Sequence, residues 1–211
     1  MPAALLLVFL FPASRFYPEW VWKVPAAPFL VSFLLCAVGC APFPRLRNEF
    51  RWIRKGQIDN PTWLLVVLTS LVSAVALILW ALWTNYLGYG TEMLAPVKTA
   101  PRWFSLLVLV PAFSVVNAAA EEVVYRGVLQ EALEAGWSEA PGALLALQAS
   151  AFAAAHYSGG FPNGKLGYLM VFVYALMLGW LRRRTGGILA PYVAHVCADA
   201  VIGLTLVLLV T

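Results

Sequence analysis

From Trp63 to Tyr86 the chain reads WLLVVLTSLVSAVALILWALWTNY, without one charged residue. A helix of that length reaches about 36 Å at ~1.5 Å per residue, enough to cross a hydrocarbon core of about 30 Å. Hydrocarbon offers no partner to a backbone N–H or C=O, so such a run must satisfy its own hydrogen bonds as a helix. Further apolar runs of helix length flank it, and none alternates as the strands of a membrane barrel do. Of the 211 residues, 62% are hydrophobic and 11% charged, where soluble domains carry about 25% charged residues. The fold class read from this is all-α: a polytopic integral membrane helix bundle with about six or seven transmembrane helices. No length is left for a separate soluble domain. The chain therefore reads as a single integral membrane domain over residues 1–211, with N-terminal helices over 1–102 and a motif-bearing core over 103–211.

Orientation follows from the cations. The loop PRLRNEFRWIRKGQIDN carries Arg45, Arg47, Arg51, Arg54 and Lys55 against Glu49 and Asp59, and a second basic stop follows at Arg182, Arg183 and Arg184. The positive-inside rule puts loops 44–61 and 182–186 on the cytoplasmic side. Four predicted spans, an even number, separate them: Trp63 to about Tyr86, Trp103 to about Leu129, 142–157 ending at His156, and Leu166 to Leu181. A last span runs from about Gly187 to Val210. An earlier one is expected over roughly 25–43, and Met1–Pro12 is short for a full crossing. Trp20, Trp22, Trp52, Trp63, Trp83, Tyr86 and Trp103 near span ends read as interfacial anchors. The net charge of +4 is used up in orientation, which gives no indication of nucleic-acid binding. Cys36, Cys40 and Cys197 lie within apolar runs and read as small core hydrophobes. The first residues lack the basic stretch of a cleavable signal peptide.

Inside the apolar stretch FSLLVLVPAFSVVNAAAEEVVYRGVL stand two adjacent carboxylates, Glu121 and Glu122, with Arg126. An ionisable side chain at bilayer depth costs about 2.5–3.5 kcal/mol on insertion scales, so a functional role is the default. The other ionisable residues at predicted membrane depth are His156, His195 and Asp199, and these two are the only histidines in the chain. Glu122 and Arg126 are spaced i,i+4 and can pair. Glu121 lies about 100° around the same helix and is expected to be free of that pair. Phe152 with His156, and His195 with Asp199, are again i,i+4, so three helices each offer a short polar stripe. Packed together they would make a buried polar pocket.

Such a pocket has the parts for hydrolysis of a peptide bond. Glu121 can take a proton from water while His156 positions or shares it. His195 and Asp199 can face the oxyanion of a tetrahedral intermediate. The same residues also fit zinc, with Glu121, His156 and His195 as ligands and water as the fourth. Residue types and spacing leave both versions open.

EEVVYRG fits EExxxR, FAAAH fits FxxxH, and HVCAD fits Hxxx followed by Asn or Asp. In this order, on successive membrane segments, the three motifs resemble the CAAX protease and bacteriocin-processing family of intramembrane endopeptidases, which includes the Rce1-type prenyl proteases. The resemblance covers about residues 103–205. It implies an intramembrane protease in which Glu121 and His156 activate water while His195 and Asp199 line the oxyanion site. Glu122, Arg126 and Phe152 then support the site. The prenyl-protease pattern commonly has Asn where this chain has Asp199. Of the two mechanisms ascribed to the family, the metal-free glutamic one is favoured; no cofactor is expected, and zinc is the alternative. The implied partners are the lipid bilayer and a membrane-anchored protein or peptide substrate, with a C-terminal tail, prenylated or not, as one candidate. A bacterial inner membrane is the expected location.

Competing intramembrane chemistries lack their motifs: there is no HExxH, no GxSxG and no paired aspartates. Buried Glu, His and Asp on several helices also describe a non-enzymatic bacteriocin self-immunity protein or a proton-coupled transporter, although no inverted repeat is evident. Convergence on one water-sized site, against a path between the two faces, separates these readings. Asn117 and Gln148 are expected to be interhelical hydrogen-bond glue, and Glu131 and Glu134 solvated loop charges.

Overall fold

A computed structural model describes residues 31, 34–35, 38–39, 41–44, 53–86, 100–136, 139–157 and 161–209. The expected interfacial segment Met1–Pro12, more than half of the expected span over 25–43 and most of the loop after Tyr86 lie outside the described residues. So do Cys36, Cys40, Trp20, Trp22 and Trp52. Among the described residues there is no strand. The principal helices are α1 (Asn60–Tyr86), α2 (Arg102–Gly136), α3 (Pro141–His156), α4 (Gly164–Thr185) and α5 (Leu189–Leu209). Four of these, α1, α2, α4 and α5, are long and apolar enough to cross a membrane. With 16 residues, α3 covers about 24 Å and falls short of the full core.

Local chemistry sets the helix ends. Asp59 caps α1: its Oδ1 accepts from the Thr62 backbone N–H at 2.8 Å and from the Thr62 hydroxyl at 2.5 Å. The Thr62 hydroxyl, then the Thr62 N–H, hold the Asp59 carboxyl below the usual range for an aspartate. Pro141 opens α3, where its missing N–H costs nothing. Gly186 closes α4 in the left-handed conformation (φ +63°), donating to the Arg182 carbonyl at 2.9 Å.

Helix α2 is longer than the expected 103–129 span and widens to π-helical winding twice, over Ser105–Leu109 and Val123–Leu129. The first wide turn lies directly ahead of Pro111, whose ring would press on the carbonyl of Leu107 in regular winding. The second begins next to Glu122 and contains Arg126.

Helix α5 is central, packing on α1, α2 and α4. Its buried Ala190, Ala194 and Ala198 let the backbones approach, as small residues do where lipid offers no hydrophobic drive. Ala190 and Ala194 meet Val66, Leu178 and Leu181, and Ala198 meets Leu77. A β-carbon at Gly203 would come within 2.9 Å of the Val110 side chain.

The two basic loops meet at one end of the bundle. Gln57 N–H donates to the Thr185 carbonyl and Ile188 N–H to the Arg54 carbonyl, each at 2.9 Å, and the Arg54 guanidinium donates to the Gly186 carbonyl. Glycine is required here, since a β-carbon on Gly187 would lie 2.3 Å from the Gly56 nitrogen. Glu131 and Glu134 belong to the same end and stand on α2 rather than in a loop, Glu131 half-exposed and Glu134 less so. Because α2 continues to Gly136, they reach α4: Glu131 pairs with Arg182, and Glu134 lies 3.5 Å from both Arg182 and Arg183.

Candidate active site

All seven residues singled out from the motifs come together. Glu121, Glu122 and Arg126 lie on α2, Phe152 and His156 on α3, and His195 and Asp199 on α5. Helix α4 adds Tyr174 and the carbonyl of Ala175.

The scaffold of the site is an ion pair sealed from solvent. Arg126 is 0% exposed and Glu122 1%. The Arg126 Nη1 donates to Glu122 Oε1 at 2.9 Å, and Nη2 donates to the Ala175 carbonyl at 3.5 Å. The guanidinium carbon stands 4.5 Å from the centre of the Phe152 ring, a cation–π placement without competing water. Phe152 also has its ring 4.6 Å from that of His156 and 5.8 Å from that of His195. One aromatic ring thus touches the cation and both histidines.

Glu122 does more than neutralise Arg126. Its Oε1 also lies 2.7 Å from His195 Nδ1. Glu121, expected to point elsewhere, has Oε2 3.3 Å from the Nε2 of the same ring. The two carboxylates do diverge around α2, but an imidazole presents nitrogens on two edges, and α5 inserts the ring between them. Asp199 Oδ1 is 3.7 Å from Nε2, outside hydrogen-bond range. Phe152 and Tyr174 rings flank His195, each at 5.8 Å and near-perpendicular, and the Tyr174 hydroxyl donates to the Ala194 carbonyl at 3.1 Å. Tyr174 was not legible as a site residue, because nothing in its sequence neighbourhood separates it from an ordinary core aromatic.

His156 Nδ1 lies 2.9 Å from the Phe152 carbonyl. A carbonyl only accepts, so Nδ1 carries the hydrogen and Nε2 is the nitrogen presented to the site. That Nε2 is 4.0 Å from Glu121 Oε2, a gap that one water within hydrogen-bond reach of both would bridge. Glu121 Oε2 itself has no hydrogen-bond partner among the described residues. Glu121 is 18% exposed and His156 16%, while the other members are nearly closed off, and Glu121 Oε2 itself is buried. Among the described residues no group of three or more His, Cys, Asp or Glu side chains is arranged to hold a metal ion.

Asn117 acts as interhelical glue, its Nδ2 donating to Asp199 Oδ2 at 3.1 Å. Gln148 departs from expectation: it is fully buried, and neither its amide nitrogen nor its oxygen finds a partner among the described residues. Its neighbour Gln130 instead bridges helices, donating to the Gly179 carbonyl at 3.1 Å and to Glu134 at 3.0 Å.

Residues 102–201, just under half of the chain, match the family model described as Type II CAAX prenyl endopeptidase Rce1-like. No curated protein and no solved structure gives a match. At the level of the family, the match supports a membrane endopeptidase of CAAX-protease type.

Proposed function

Taking as premise that the motif-bearing half belongs to the Rce1-like family of type II CAAX prenyl endopeptidases, we propose that the chain hydrolyses a peptide bond of a membrane-anchored protein or peptide, with Glu121 as the general base. The observation that carries this reading is convergence. One carboxylate faces the Nε2 atoms of both histidines, at 3.3 and 4.0 Å, at the least enclosed part of the cluster.

The chemistry follows from proton positions. Nδ1–H of His195 is committed to Glu122, so an unprotonated Nε2 would set a lone pair against the Glu121 carboxylate. A hydrogen on Nε2 as well removes that repulsion and lets the ring donate toward Glu121 while Nδ1 donates to Glu122. In this state Glu121 is ionised. A water between Glu121 and His156 gives its proton to Glu121 as its oxygen attacks the carbonyl carbon, and the C=O electron pair moves onto the oxygen. His195 Nε2–H is the donor for that oxyanion. Collapse of the intermediate breaks the C–N bond, and the proton held by Glu121 passes to the leaving amine. Arg126 holds Glu122 in place throughout.

The metal-free version is favoured; the zinc version would use Glu121, His156 and His195 as ligands. The substrate proposed from the family is a prenylated C-terminal CAAX tail or another membrane-anchored tail. We place the basic loops 44–61 and 182–186 on the cytoplasmic side, which their meeting at one end of the bundle allows. A self-immunity protein or a proton-coupled transporter is the competing class. It would favour titratable groups spread along a path, whereas these lie around a single imidazole.

The test is cleavage of an internally quenched, farnesylated CAAX peptide by purified protein in detergent, with and without a zinc chelator. The expectation is cleavage by the native chain, unchanged by chelation, and none by Glu121→Gln at an unchanged Tm. Activity retained by that variant would overturn the role of Glu121. Loss on chelation, restored by zinc, would replace the metal-free mechanism with one using Glu121, His156 and His195 as ligands.

A further inference from the structure

Asn117 stands one helical turn before Glu121 on α2, and Asp199 one turn after His195 on α5. The four side chains form two rungs between the helices. The first is Glu121 to His195 at 3.3 Å; the second is Asn117 to Asp199 at 3.1 Å. The rungs are joined along α5, where Asp199 Oδ1 faces His195 Nε2 at 3.7 Å. Asn117 and Asp199 are both buried, at 8% and 3% exposure.

The geometry points to Asn117 as a positioning residue for the reaction, acting through Asp199 on the His195 ring. The argument is one of degrees of freedom. A carboxylate has two equivalent oxygens and rotates about its last bond in a broad, two-fold well. Asp199 is outside hydrogen-bond range of His195, so that contact alone does not fix its rotation. The Asn117 amide holds Oδ2 toward α2, which leaves Oδ1 turned to Nε2. The imidazole then meets a carboxylate oxygen on each free side: Glu122 at Nδ1, and Glu121 and Asp199 at Nε2. Without Asn117, Asp199 is released to rotate, and the field on Nε2 changes while the ring remains clamped by Glu122, Phe152 and Tyr174. Buried Ala118, Ala194 and Ala198 would still pack the helices. The loss would thus fall on the site rather than on the bundle.

This inference rests on the protease reading for its kinetic arm only. The chain has two histidines, so 15N-histidine labelling in detergent micelles gives two imidazoles, assigned with His156→Gln. Asn117→Ala is expected to move the His195 Nε2 resonance and leave that of His156 in place. On the farnesylated peptide it is expected to lower kcat by about ten- to a hundredfold, the scale of small misplacements, with KM within about twofold. Asn117→Asp, which sets carboxylate against carboxylate, should move the His195 signal further, and adding Asp199→Asn should bring it back toward its native position. An unmoved His195 signal in Asn117→Ala would overturn the inference. So would equal movement of both histidines with a lowered Tm, which marks a structural role. A shifted His195 in a protein whose native form cleaves nothing would support the positioning while removing the protease reading.

Discussion

Replacing Arg126 by Met keeps most of the side-chain volume and removes only the charge and its hydrogen bonds. Arg126 is wholly buried, so solvent does not screen the loss. Breaking a buried ion pair from one side costs about 3–5 kcal/mol, because the remaining charge is stranded. Here the lower half of that range applies, since Glu122 Oε1 keeps the His195 Nδ1–H at 2.7 Å. Loss of the guanidinium over Phe152 at 4.5 Å adds roughly 1–2 kcal/mol. The expected total is about 5 kcal/mol, several thousandfold in the folded-to-unfolded ratio. Glu122→Gln removes the stranded charge yet keeps an acceptor for His195, so in the double variant it should return about half of the loss. The assay is denaturant unfolding in mixed micelles, followed by tryptophan fluorescence, as a double-mutant cycle. A coupling between the two positions below about 0.6 kcal/mol, the average for interhelical hydrogen bonds in a membrane protein, would refute the account of Glu122–Arg126 as a sealed pair.

Gly187→Ala would put a methyl 2.3 Å from the Gly56 nitrogen and 2.5 Å from the Arg54 carbonyl; it should cost about 1–3 kcal/mol by overpacking and be visible as a lowered Tm. Phe152→Leu keeps an apolar filler but removes the ring shared by Arg126 and both histidines, so cleavage should fall more than the loss of about 1–2 kcal/mol of cation–π stabilisation would suggest. Asp59 has a folded pKa below its unfolded one. Its contribution is therefore present above the ordinary aspartate pKa and lost as pH falls through the lower folded value. Asp59→Asn should flatten that acid limb in a Tm-against-pH series, and an unchanged limb would show that the cap is not responsible.

Much of the bundle was legible because lipid imposes a simple rule: a long apolar run must be a helix. The runs from Trp63, Trp103, Leu166 and Gly187 each correspond to a long helix, with ends shifted by a few residues. The polar set was legible for the complementary reason, that charge is costly at that depth and so stands out. Harder to read was α2, whose two π-helical turns and extension to Gly136 carry Glu131 and Glu134 to Arg182. Good helix formers over residues 130–135 favour the extension locally, but that Glu131 and Glu134 meet Arg182 depends on where α4 packs.

The sequence by itself determined that the chain is helical and lipid-embedded, and that Glu121, Glu122, Arg126, Phe152, His156, His195 and Asp199 are its unusual residues. It also paired Glu122 with Arg126, because i,i+4 neighbours share a helix face whatever surrounds them. Only the tertiary structure decided that both glutamates clasp one imidazole, that Phe152 touches Arg126 and the two histidines, that Tyr174 flanks His195, and that Asn117 holds Asp199. Those relations join residues far apart in the chain. They arise from how closely small residues let α5 approach α2 and α4, a property of the packed bundle rather than of any one segment.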